Sequence, residues 1–230
     1  MTRPDSLLSR QQISAAVAGA GWRFVLGRIQ TAVAVRSLAQ ASAVLTHVLA
    51  AAGDSAAGRL EADLRDRRVL FTVRTPAVGW VTTDDIDLAT TISAAVAELG
   101  LTAGPDAGAR TVQVVELAID ARDIPSVRPF WKAALAYVDE PGQTGPTVPL
   151  VDPAGQGPSL WFQQMDAPRE QRNRIHFDID VPHDEAADRI AAALAAGGRL
   201  VYDAEAPAFW VLADPEGNEA CICTWQGRDP

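Results

Sequence analysis

The sequence predicts an α+β protein in two parts, and three observations carry that prediction. First, residues 116–224 hold one pattern twice. Glu116-Leu-Ala-Ile-Asp120 and a helix-like stretch ending near Leu135 are matched by His176-Phe-Asp-Ile-Asp180 and a stretch ending near Leu194. Asp152-Pro-Ala-Gly155 before Ser159-Leu-Trp-Phe-Gln163 is matched by Asp214-Pro-Glu-Gly217 before Glu219-Ala-Cys-Ile-Cys223. The module is roughly 60 residues long, and two copies suit a closed pair sharing one cleft rather than a solenoid. Second, residues 101–111 are rich in Gly and Ala and hold a Gly-Pro breaker, the composition of a linker. Third, helix-period and strand-period segments alternate ahead of that linker as αββαββα, helices layered on an antiparallel sheet. The expected domains are therefore 1–100 and 112–230, with 101–111 between them.

Each element follows from local signals. Residues 9–18 read as a helix with Gln11 and Gln12 in its first turn. Residues 21–26 and 29–35 read as strands joined at Gly27-Arg28. Leu38, Leu45, Val48 and Leu49 recur at helical spacing through 37–52, where Gly53 stops the helix. Residues 59–64 and 68–75 form a hairpin turning at Asp66-Arg67. Thr82-Thr-Asp-Asp85 supplies cap residues for a helix through 97, with Gly100 just past its end. In the duplicated part each copy reads as strand, helix, then shorter strands. Pro129 fits the first of these helices if Ser126 is its cap; the second helix runs over 184–196 and ends at Gly197-Gly198.

Composition narrows the function classes. With 48% hydrophobic and 21% charged residues the chain has the make-up of a soluble globular protein. A net charge of −9 argues against nucleic-acid binding, which needs a Lys/Arg surface. No apolar run reaches membrane-spanning length and no signal-peptide pattern is seen, so a cytoplasmic protein without membrane contact is expected. Cys221 and Cys223 fall on one side of a strand, where an intrachain disulfide between them is disfavoured.

The N-terminal order and the stretches Leu7-Leu-Ser-Arg-Gln-Gln-Ile13, Gly21-Trp-Arg-Phe24, Arg68-Val-Leu-Phe-Thr-Val-Arg-Thr75 and Gly79-Trp-Val-Thr-Thr-Asp-Asp-Ile-Asp-Leu-Ala89 resemble pterin-4a-carbinolamine dehydratases. That family's His-His-Pro stretch and later His fall here on Gly58-Arg59-Leu60 and on Pro76. Proton transfer to a leaving hydroxyl suits imidazole, and neither Arg nor Pro titrates in that range. A domain that keeps the fold and has lost the reaction is expected. His47, the one histidine in this half, reads as a surface residue.

Residues 112–225 resemble the glyoxalase/bleomycin-resistance, or vicinal oxygen chelate, group. The resemblance rests on the duplication, Phe130-Trp131, Asn173-Arg-Ile-His-Phe-Asp178 and Phe209-Trp-Val-Leu-Ala-Asp-Pro-Glu-Gly-Asn218. It implies two βαβββ modules curling round a cleft, with a divalent metal held at four strand positions. Those positions fall on Glu116, on or beside Trp161 (Gln163 being the nearest polar alternative), on His176 and on Cys221. Glu116, His176 and Cys221 would suit zinc best. Trp131, Trp161 and Trp210 read either as core or as a stacking surface for a flat ligand. The candidate pocket is thus Glu116, Trp131, Trp161, Gln163, His176, Trp210 and Cys221.

The leading functional expectation is a small-organic-molecule binder that needs no metal. The alternatives are a metal-dependent lyase, isomerase or hydrolase using Glu116, His176 and Cys221, and a 4a-hydroxytetrahydrobiopterin dehydratase. A homodimer is expected from the N-terminal resemblance.

Overall fold

The computed structural model describes residues 8–107, 111–168, 171 and 175–227. Leu7, Asn173 and Arg174, quoted above, and residues 108–110 of the expected linker lie outside the described residues. The chain divides into two compact units, Met1–Val114 and Val115–Pro230.

In the first unit, helix α1 (Arg10–Ala18) begins at a capping box: Ser9 Oγ accepts the Gln12 N–H and Gln12 Oε1 accepts the Ser9 N–H. Strands β1 (Arg23–Val25) and β2 (Arg28–Ala34) form a hairpin, followed by α2 (Leu38–Ala52) under a Ser37 cap. Strands β3 (Leu60–Arg65) and β4 (Arg68–Val73) make the second hairpin, and α3 (Thr83–Glu98) starts at a second capping box, Thr82 with Asp85. The sheet order is β1-β2-β4-β3, antiparallel. Ile29, Val33, Val69, Phe71 and Val73 of the sheet meet Ile13, Val44, Val48, Leu88, Ile92 and Val96 of the three helices in one core. Trp22, fully buried there, donates its indole N–H to Ser93 Oγ at 2.9 Å, which leaves no unpaired donor.

Two details differ from the sequence pattern. The buried stripe of α2 is Ala41, Val44, Val48 and Ala52, while Leu38 and Leu49 are exposed. Two alanines and two valines therefore form the inner face, with Leu45 partly buried beside them. Part of the expected linker is also structured: β5 (Ala103–Gly104) pairs antiparallel with Ala32 and Val33 of β2. Gly21, at φ +83°, lies so close under the Ala103 carbonyl that a Cβ there would collide with it.

The second unit repeats one topology. β6 (Glu116–Ala121), α4 (Ile124–Leu135), β7 (Val138–Asp139), β8 (Leu150–Val151) and β9 (Ser159–Gln164) form a sheet in order β6-β9-β8-β7. β10 (Asp178–Asp180), α5 (Ala186–Ala195), β11 (Arg199–Tyr202), β12 (Phe209–Ala213) and β13 (Glu219–Cys223) form another in order β10-β13-β12-β11. In both, the first strand runs parallel to the last. These are the two βαβββ modules. Their inner faces share a core in which Ile119, Val127, Phe130, Trp131 and Leu160 meet Ala193, Leu212, Ala220 and Ile222.

The cap of α4 is Asp123, not Ser126: the Asp123 carboxylate accepts the Ser126 N–H. Pro125 occupies the first turn, where its missing N–H costs nothing, and Pro129 therefore lies inside the helix. The repeated Asp-Pro-x-Gly segment is a turn organised by its aspartate. Asp152 accepts N–H groups of Ala154, Gln156 and Gly157; Asp214 accepts those of Glu216 and Asn218.

Candidate functional site

Strand alternation builds the site. Along β13, Ala220 and Ile222 enter the shared core, which turns Glu219, Cys221 and Cys223 to the opposite face. On β12, Trp210 and Leu212 face the core, and Phe209 and Val211 face the other way. Asp178 opens β10 opposite Cys221, with His176 two residues earlier on the same side. Val201 and Tyr202 complete the wall from β11, where a bulge brings neighbouring residues onto one face. Together these residues line a pocket of about 810 Å³, within the range of drug-sized ligand sites. The Tyr202 and Phe209 rings stack at 6.0 Å with 25° between their planes.

Cys221 sits at the pocket floor, 6% exposed, and its N–H donates to the Phe177 carbonyl at 2.8 Å. Burial pushes its thiol pKa up to about 12, helped by the hydrogen bond to Asp178 and by the charges of Asp178, Cys223 and Glu219. The proton therefore stays on sulfur at neutral pH. A thiol so held is a poor nucleophile at neutral pH, since attack needs the thiolate.

The seven residues expected at one site are divided. His176 and Cys221 line the pocket. Glu116, Trp161 and Gln163 lie on the first module's sheet, where Ser159 Oγ donates to Glu116 Oε1 at 3.2 Å and Gln163 is exposed. Trp131 is fully buried between the modules, its indole N–H bonded to Asp214 Oδ2 at 3.0 Å and its ring edge-on to Phe130 and Phe177. Trp210 packs against the same core. Trp131 thus follows the core alternative, because a fully buried ring has no open face to offer a ligand, while Trp210 is partly buried with its ring toward the same core. Sequence reasoning missed Asp178, Val201, Tyr202, Phe209, Val211, Glu219 and Cys223. Alternation would have supplied several of them, since the i±2 neighbours of His176 and Cys221 share their face.

The divalent metal implied by the vicinal oxygen chelate resemblance does not fit these donors. Among the described residues, no three of His, Cys, Asp and Glu converge on a point where an ion could be held.

In the first unit, the positions where the dehydratase resemblance expects histidines hold other chemistry. Arg59 Nη1 donates to Thr75 Oγ1 at 2.8 Å and Asp85 Oδ1 at 3.1 Å, and Nη2 donates to Asp84 Oδ2 at 3.0 Å. Asp85 is fully buried and also accepts the Thr82 N–H. Pro76 opens a short 3-10 turn. His47 pairs with Glu98 at 2.8 Å, tying α2 to α3.

A mixed sheet-and-helix unit followed by paired βαβββ modules defines the class: a dehydratase-like domain joined to a glyoxalase-like domain. The comparisons with known proteins agree. Residues 6–95 match the family profile described as Pterin 4 alpha carbinolamine dehydratase, and residues 116–223 match that of the Glyoxalase-like domain. No curated protein matches the chain. Among solved structures, a glyoxalase-related enzyme from Fulvimarina pelagi is 19% identical, covering 49% of this chain and 87% of its own, at a TM-score of 0.39. Oxidase ChaP-H2 is 22% identical over 50% of this chain and 94% of its own, TM-score 0.37. A transcriptional coactivator/pterin dehydratase from Brucella melitensis is 20% identical over 39% of this chain and 98% of its own, TM-score 0.36. Likenesses of this strength carry no argument about activity.

Proposed function

We propose that the protein binds a small organic molecule in the pocket of the second glyoxalase-like module, without a metal, and that its dehydratase-like domain is catalytically inactive. One observation carries the first part: the pocket joins an aromatic pair and two valines to a few polar groups, the mixture that ligand sites use for burial and orientation. The second part is supported by Arg59, which stands where the dehydratase resemblance expects a histidine and whose guanidinium is engaged by Thr75, Asp84 and Asp85. A homodimer and a cytoplasmic setting belong to the same proposal. Among the described residues no helix is long and apolar enough to cross a membrane.

Ligand-observed NMR with a set of bicyclic aromatic compounds tests the binding reading. Binding is expected to the full chain and to be lost in Val201→Trp, which fills the pocket from an edge strand. If no compound binds, or Val201→Trp and Tyr202→Ala leave binding unchanged, the site is wrongly placed. Pure protein that accelerates carbinolamine dehydration above background would overturn the inactivity of the first domain.

A further inference from the structure

Two thiols stand side by side in the wall of the pocket. Cys221 and Cys223 are the only cysteines of the chain, neither is in a disulfide, and both line the cavity. They take alternate positions of β13, with Ile222 between them in the core, so both side chains face the ligand side. The charge of Cys223 is felt at Cys221, as expected of near neighbours. Across the β12–β13 pairing Phe209 lies opposite Cys223 and Val211 opposite Cys221, and the Tyr202 ring stacks on Phe209. The aromatic and aliphatic wall therefore begins at the thiols themselves.

The spacing selects the chemistry that can join the two sulfurs. Alternate strand positions lie about 6.6 Å apart, whereas a disulfide needs its Cβ atoms within about 4.5 Å. A direct S–S bond is out of reach. One atom set between the sulfurs adds a second bond, about 2.3 Å long in metal thiolates, and spans the remaining gap. Burial opposes charge on sulfur, so a bridge that leaves the site neutral is favoured over one that needs free thiolates. Trivalent arsenic meets both conditions. Each hydroxyl of an arylarsonous acid takes up one thiol proton and leaves as water, two As–S bonds replace two As–O bonds, and arsenic stays trivalent. The aryl group, the third substituent, then meets the rings and valines beside the thiols. We propose that Cys221 and Cys223 form a dithiol site for an aromatic arsenic(III) compound whose ring lies against Phe209 and Tyr202. Such a site presupposes that the pocket admits an organic ligand, as read above.

Native mass spectrometry of the full chain with phenylarsine oxide tests this. One phenylarsenic group per chain is expected, and none in Cys221→Ala or Cys223→Ala, whose folding near-UV circular dichroism checks. On the unaltered chain the dithiol dimercaptopropanol should strip the group, while the monothiol mercaptoethanol at equal thiol concentration should not. Tyr202→Ala should weaken binding about threefold to tenfold, the loss of one aromatic contact. An adduct that persists in either cysteine variant, or that mercaptoethanol removes as readily, would sink the dithiol site. An affinity indifferent to Tyr202→Ala would overturn the placement of the ring and with it the aromatic class. No adduct, while bicyclic aromatic compounds still bind, would overturn the dithiol site and leave the pocket reading standing. Loss of both would overturn both.

Discussion

Cys221 and Asp178 stand opposite each other on paired strands, and burial with a hydrogen bond to that carboxylate holds the proton on the thiol. The sign of the resulting pH dependence is fixed. The folded chain holds this proton more tightly than an unfolded one, whose thiol has the ordinary pKa of 9.0. The contribution to stability is therefore complete below pH 9 and is lost as pH climbs toward about 12. Denaturant melts at pH 8 and pH 10.5 should show the wild type losing more stability than Cys221→Ala over that interval; equal losses would mean that the thiol is not held as described. Alkylation of Cys221 by iodoacetamide should likewise stay slow at pH 8 in the folded protein and become fast on unfolding.

Elements explain why some of the molecule is legible in its sequence and some is not. Capping residues and turns act over three or four positions, so Ser9 with Gln12, Gly53 and Asp66-Arg67 mark their boundaries directly. The inner face of α2 was legible only in part: Val48 is on it as expected, but Ala41, Val44 and Ala52 complete it while Leu38 and Leu49 are exposed. The β5 pairing was not either: two residues joining β2 leave no periodicity to detect. In the site, alternation identifies faces but not which face opens. His176 and Cys221 line the pocket and Trp131 and Trp210 do not, a split that depends on tertiary packing. Packing between elements also makes the clearest stability predictions. A Cβ on Gly198 would run into the fully buried Phe130 ring, so Gly198→Ala should cost about 1–3 kcal/mol in denaturant melts. Asp214 is fully buried and accepts four N–H groups, including the Trp131 indole, whereas Asp152 accepts three backbone N–H groups near the surface. Asp214→Ala should therefore cost about 3 kcal/mol or more, and Asp152→Ala about 1 kcal/mol.

For the whole molecule, the family profiles account for both halves of the chain, and the pocket draws all its described lining from one module of one half. Binding that needs no metal should survive chelation: dialysis against EDTA is expected to leave the affinity for bicyclic aromatic compounds unchanged, and a large loss would reinstate an ion at the site. The clasp between the two modules has an origin written into it. Asp214 of the second module holds Trp131 of the first, and Glu216 accepts the Arg122 and Asp123 N–H groups at the entrance to α4. The counterpart helix α5 carries no aromatic residue for Asp152 to hold in return. A pair of identical ancestral modules, related by a twofold axis, would have made such a contact twice or not at all. The lock is one-sided, and it makes the halves non-interchangeable: the second module joined to a copy of itself would have the aspartate without an aromatic ring on its helix to hold.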